Sequence, residues 1–161
     1  MKARWIRLGS LSGEAFDAAC AQLAAAQSAK ARPILAWAQA ESRFLFAVIA
    51  PRIRAPGRSD RWLSWGLAPA VATYRQLGLR ACLGEAGIVL HGERIAEASA
   101  CEIGECVLVQ SSFLACFPGA RRPMRSAPME EAFRLRLEAQ HGWQFDHSWP
   151  TARERVEFAL T

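Results

Sequence analysis

The sequence predicts an α+β protein built on a mixed, largely antiparallel sheet flanked by helices. Three observations predict it. Pro33 to Trp37 and Arg43 to Ile49 are runs rich in aromatic and branched residues, separated by the polar stretch Gln39 to Ser42, and read as a strand pair or hairpin buried on at least one face. From Ile88 to Phe117, turns at His91-Gly92-Glu93 and at Glu102 to Glu105 divide apolar runs into an antiparallel meander, with one strand over Arg94 to Cys101 and another over Cys106 to Phe117. Apolar residues recur at helical spacing in three further segments, each able to cover a sheet face. A chain of 161 residues suits one domain over residues 1–161, long enough to enclose a core.

In chain order, Trp5 to Leu8 forms a short opening strand. Ser12 then caps a helix over about residues 13–29, with Glu14 in its first turn and Phe16, Ala19, Cys20, Leu23 and Ala26 on its inner face. Pro33 ends any helical continuation. Pro51 to Arg61 is a loop carrying proline, glycine and several arginines, a solvated connector or else an anion-facing lip. Ser59 or Asp60 is placed to cap the next helix, Trp62 to Leu77, in which Pro69 fits only as a kink or if the helix starts later. A short connection leads to the meander, and Pro118 to Ser126 is a second basic loop. Pro128, Glu130 and Glu131 announce a helix with Met129, Ala132, Phe133, Leu137 and Gln140 inward, stopped by Gly142. His141 to Pro150 reads as aromatic loop, and Thr151 to Glu154 has capping-box spacing for a last helix to about Leu160.

Hydrophobic residues make up 52% and charged residues 22%, the composition of an ordinary globule rather than a disordered tail. Met1 to Arg7 leads into Gly and Ser rather than an apolar segment of a secretory signal, and the apolar run Phe44 to Pro51 is too short to cross a bilayer, so a cytoplasmic protein without a membrane partner is expected. Five cysteines, an odd set without a framework, are expected as reduced thiols, most of them in the core. The net charge of +5 comes almost wholly from arginine, since Lys2 and Lys30 are the only lysines. Scattered along the chain, these charges read as a solvated surface before a nucleic-acid interface. Neither Cys101 with Cys106 nor His141 with Asp146 and His147 has the spacing of a zinc site, and no metal is expected.

The segment Tyr74 to Phe117 carries a helix ending Leu77-Gly78, the strand Ile88 to Leu90, the turn Gly92-Glu93-Arg94 and a strand opening Ile95-Ala96-Glu97. This order resembles the biotin/lipoate protein ligase family, in the form of a truncated and degenerate relative of lipoate-protein ligase A. There a helix ending Leu-Gly precedes a strand, a Gly-Arg-Lys turn and a strand opening Ile-Ala-Gly. An early helix followed by the tryptophan-containing strand at Trp37 extends the similarity back to about Gly13. The resemblance implies a biotin/lipoate ligase-like fold with a class II aminoacyl-tRNA synthetase-like core, and it requires positions 88 to 117 to be neighbouring strands of a single sheet. It also implies an activity: lipoate or biotin is activated with ATP as an acyl-adenylate and passed to a lysine of a lipoyl or biotinyl carrier domain.

Two local devices serve that chemistry in the family. One is an Arg-Arg-x-Gly-Gly-Gly segment, whose glycines admit ligand and phosphate close to backbone N–H groups. The other is the lysine of the turn, a compact cation where charge develops. Here no two glycines are adjacent, Arg94 stands at the lysine position, and Glu97 replaces the following glycine. The resemblance with these departures implies a binding or accessory protein in lipoate and acyl-carrier metabolism, without ATP-dependent ligation. Arg94 is the catalytic candidate at the family lysine position, and His91, Gly92, Arg94, Ile95, Ala96 and Ser99 form the ligand-binding set. The partners implied are a carrier domain, a small carboxylic acid, or a second chain that completes a split enzyme by supplying the glycine-rich segment. The alternative is a cysteine-dependent octanoyl/lipoyl acyltransferase, because the fold also includes transferases with a cysteine nucleophile. Cys116, at a strand end before Pro118-Gly119, is its candidate, against the plainer reading of a buried thiol.

Overall fold

The computed structural model describes residues 1–154. In chain order it has β1 (Lys2–Ser10), α1 (Gly13–Ala25), β2 (Ile34–Gln39), β3 (Arg43–Pro51), α2 (Trp62–Gln76), β4 (Ala81–Gly84), β5 (Gly87–Leu90), β6 (Glu93–Glu97), β7 (Ser99–Ile103), β8 (Cys106–Leu114), α3 (Ser126–His141) and β9 (Gln144–Ser148). Six strands make the main sheet in the order β7-β8-β3-β2-β1-β9, antiparallel from β7 to β2 and parallel across β2-β1-β9. A smaller antiparallel sheet has the order β4-β5-β6. The mixed, largely antiparallel α+β class is therefore the architecture found.

Alternation along the central strands explains both layers. Trp5, Leu35, Trp37, Phe44, Phe46, Val109 and Phe113 point to one face, where Leu67, Ala70 and Tyr74 of α2 and Met129, Phe133 and Leu137 of α3 cover them. The rings interlock there: Trp37 stacks on Phe44 at 5.6 Å and Phe46 meets Phe133 edge-on at 4.7 Å. The intervening residues, including Ile34, Ala36, Leu45, Ala47, Ile49 and Leu108, point the other way onto Phe16, Cys20 and Leu23 of α1. Ser12 caps α1 as expected, its Oγ accepting from the Ala15 N–H at 3.1 Å.

Several elements differ from the sequence reading. α2 does not start later but is continuous through Pro69, because burial of Leu67, Ala70, Val71 and Tyr74 outweighs the missing donor, and the Thr73 hydroxyl donates to the Pro69 carbonyl at 2.8 Å. Neither Ser59 nor Asp60 caps it: Asp60 pairs with Arg58 at 2.8 Å, and a 3-10 turn over Ser59–Arg61 runs into the helix. Residues 81–84, read as a connection, are β4. Residues 144–148, read as loop, are β9, paired in parallel with β1 at the far end of the chain. The Thr151–Glu154 capping box does form, Glu154 accepting from Thr151 N and donating its own N–H to the Thr151 hydroxyl. The rest of the helix expected to Leu160 lies outside the described residues.

Positions 88 to 117 are not one sheet. The expected strand Arg94–Cys101 is two, broken at Ala98: β6 closes the small sheet and β7 opens the edge of the main one. Side chains alternate with the same period on either side of Ala98, so the pattern carries no sign that the strand changes its ladder partner. All five cysteines are free, and Cys82, Cys101 and Cys116 are exposed, so only Cys20 and Cys106 are the core thiols expected of most. Among the described residues no helix is long and apolar enough to cross a membrane.

Candidate functional site

A cleft of about 780 Å³ lies where the first turn of α1, the outer half of β3, the middle of β8 and the strand β6 converge. Its position follows from the break at Ala98. Once β6 leaves the main sheet it stands against β8, its Ala96 packed into the α2/α3-side core, and the Ser111 hydroxyl holds it by donating to the Glu97 carbonyl at 2.8 Å. A gap remains between β6 and α1, and polar side chains of the sheet open into it.

Arg43 organises the cleft. It opens β3, half-buried, and its Nη1 donates to the Ile95 carbonyl at 2.8 Å and to the Ser112 hydroxyl at 3.0 Å. The Ile95 carbonyl is within reach because the β5–β6 register shifts there: Val89 faces Arg94 and Ile88 faces Ala96, leaving Ile95 as the extra residue of a bulge. With both Nη1 protons engaged, the Nε–Nη2 edge of the guanidinium has no hydrogen-bond partner among the described residues. That edge is a two-donor fork matching a carboxylate. No carboxylate of the described residues forms an ion pair with Arg43. Across the cleft Gln110 donates to Asp17 at 3.1 Å; burial raises the Asp17 carboxyl above its ordinary value, and the Gln110 bond offsets part of the rise. The cleft thus carries two guanidiniums, Arg43 and Arg94, and two carboxylates, Asp17 of α1 and Glu97 of β6.

Of the residues expected from the sequence, Arg94, Ile95, Ala96 and Ser99 line this cleft together. Arg94 is exposed, without a hydrogen-bond partner among the described residues. His91 and Gly92 do not line it. They are the exposed tip of the β5–β6 hairpin, where φ of 51° and 80° make a tight turn that only glycine adopts freely at Gly92. Cys116 lies beyond the end of β8, exposed, and is not part of the lining either. Among the described residues no three His, Cys, Asp or Glu side chains cluster as metal ligands, and His141 instead packs against Trp65 and Trp143 at 5.0 and 4.7 Å.

Sequence reasoning missed Arg43, Asp17 and the trio Gln110-Ser111-Ser112. A signal for the trio existed: three consecutive polar residues interrupt an apolar strand, and the sheet then buries Ser111 and Ser112 where only a polar cleft can use them. Arg43 gave none, since a charged residue opening a strand is ordinary surface until β6 folds over it.

No family model matches the sequence, and no curated protein matches it. Solved structures do. Over 99% of its length the chain is similar to a bi-partite lipoate protein ligase from Thermoplasma acidophilum, studied with its E2 lipoyl domain, at a TM-score of 0.83 and 11% identity, covering 91% of that chain. It is similar to a lipoate-protein ligase A bound with ATP at a TM-score of 0.82 and 12% identity, over 99% of this chain and 94% of the other. A biotin protein ligase from Aquifex aeolicus follows at a TM-score of 0.63 and 10% identity, over 88% and 70% of the two chains. Whole-chain superposition carries what the continuity of residues 88 to 117 does not: this protein has the fold of the lipoate- and biotin-protein ligases.

Proposed function

We propose that the protein binds a small carboxylic acid of the lipoate or octanoate class in the cleft beneath β6 and serves lipoate and acyl-carrier metabolism as a binding or accessory protein, without ATP-dependent ligation of its own. The observation that carries this reading is the open Nε–Nη2 edge of Arg43, a carboxylate fork inside a cleft of about 780 Å³. Phe16, Leu45 and Ile95 supply apolar wall for an acyl chain. Against adenylate chemistry stand the missing glycine pair, Arg94 in place of a lysine, and Glu97, whose charge beside Arg94 disfavours a phosphate.

Calorimetric titration with lipoate and octanoate tests the binding half. The wild type is expected to bind, and Arg43→Gln to weaken binding about tenfold or more, the loss of one charge-assisted pair. Absent binding, or equal binding by the variant, removes the proposal. Mass spectrometry after incubation with ATP, lipoate and an apo lipoyl domain tests the other half. No mass gain on the carrier is expected, and robust modification would overturn the non-catalytic reading.

A second reading draws on one observation, the likeness to a ligase described as bi-partite. In it this chain is one half of a split enzyme, and a partner chain supplies the glycine-rich segment. Carrier modification that appears only when the partner is added would favour this reading over the first.

A further inference from the structure

We infer that the groove between α2, α3 and β4, on the opposite side of the main sheet from the cleft, is a docking site for an acidic segment of a partner protein. The groove has a volume of about 770 Å³. One face of α2 gives it Val71, Arg75 and Gln76, α3 gives it Arg136 and Gln140, and the edge strand β4 gives it the exposed Leu83. Two guanidiniums and two amides line it, and no carboxylate does.

The arginines are left for an outside partner. Arg75 is fixed in place, its Nε donating to the Ala81 carbonyl at 2.9 Å, and its two terminal amino groups have no partner among the described residues. Arg136 is more telling, because its Nε is buried and without any hydrogen-bond partner among the described residues. A buried, charged donor with no acceptor is costly, and a carboxylate from outside that pairs with the terminal amino groups of the same guanidinium offsets part of that cost. The carboxylates nearest in sequence are already engaged: Glu131 and Glu138 both bind Arg134, one turn round the same helix. Leu83 is 40% exposed and Val71 also lines the groove, so the occupant must offer an apolar side chain between its acidic ones. A second copy of this chain suits poorly, since each copy carries a net charge of +5. The occupant is therefore an acidic, leucine-bearing stretch of a different protein, and this holds whatever fills the cleft beneath β6.

The test is a fluorescence-anisotropy titration of the full chain with a labelled peptide of alternating glutamate and leucine. Binding is expected to fall steeply from about 0.05 M to about 0.3 M salt, as a charge-led contact does. Arg136→Gln and Leu83→Asp should each weaken it about tenfold, with melting temperatures no lower than that of the wild type and unchanged lipoate titration. Hydrogen-exchange protection by the peptide should be confined to α2, β4 and α3. The inference fails if either variant binds like wild type, if a lysine-leucine peptide binds equally well, or if inorganic phosphate displaces the peptide at equal concentration, which would make the groove a small-anion site.

Discussion

Glu154 and Arg4 meet in the interior between the α1 face of β1 and the chain after β9, with side chains only 4% and 9% exposed and Arg4 Nη1 2.9 Å from Glu154 Oε1. Arg4 also donates to the Ser148 hydroxyl and the Trp149 carbonyl, and Gln27 donates to Glu154, so the pair is held by hydrogen bonds as well as charge. Burial pushes the Glu154 carboxyl up, but the bonds from Arg4, Thr151 N and Gln27, with the Arg4 charge, outweigh it and hold the group below its ordinary value. A lowered carboxyl stabilises the fold above its unfolded-chain value and loses that contribution as pH falls through the folded one. Glu154→Ala should therefore cost about 3–5 kcal/mol in urea unfolding at pH 7, since it strands a buried guanidinium. The gap from wild type should close below about pH 4. A gap that persists undiminished in acid would mean that the charge is not what holds the pair. From the sequence Glu154 was legible as a capping-box residue and nothing more, because its partner lies 150 positions away.

At the scale of elements, the approach of α2 to β8 decides how tightly the aromatic layer closes. A Cβ on Gly66 would stand 2.6 Å from Val109 Cγ1, so this glycine is required by proximity rather than by a turn. Gly66→Ala is expected to destabilise by about 1–3 kcal/mol in chemical denaturation despite alanine's better helix propensity. A neutral or stabilising result would mean that the helix can shift outward at no cost. The sequence displayed α1, α2, α3 and the β2–β3 hairpin because each is a local amphipathic or apolar pattern. It hid β4 and β9, short edge strands whose mostly exposed residues leave no pattern. It hid also the parting of β6 from β7, since alternation does not name the neighbour.

For the whole molecule, the chain end closes the sheet at its beginning. β9 lies along β1, Phe145 meets Trp5 edge-on at 5.3 Å, and Trp5 in turn donates its indole N–H to Glu130 of α3 at 2.9 Å. Removing residues from Gln144 onward takes away the edge of β1, the cover of Trp5 and the partner of Arg4 at once. The truncated chain is expected to lose cooperative thermal unfolding. A sharp transition near the wild-type temperature would show β9 to be dispensable.

The sequence by itself determined the layers of this protein: which segments are helices, which central strands are buried on at least one face, and that no two glycines are adjacent and Arg94 rather than a lysine stands in the β5–β6 turn region. Those are properties of neighbouring residues, and burial imposes them locally. Only the tertiary structure decided where a ligand could sit. The cleft exists because the chain changes sheets at Ala98, bringing β6 beside Arg43, Ser111 and Ser112, and the second groove lies where α2, α3 and β4 come together. Both join residues far apart in the chain, and a linear pattern holds no record of which distant carbonyl an arginine will find.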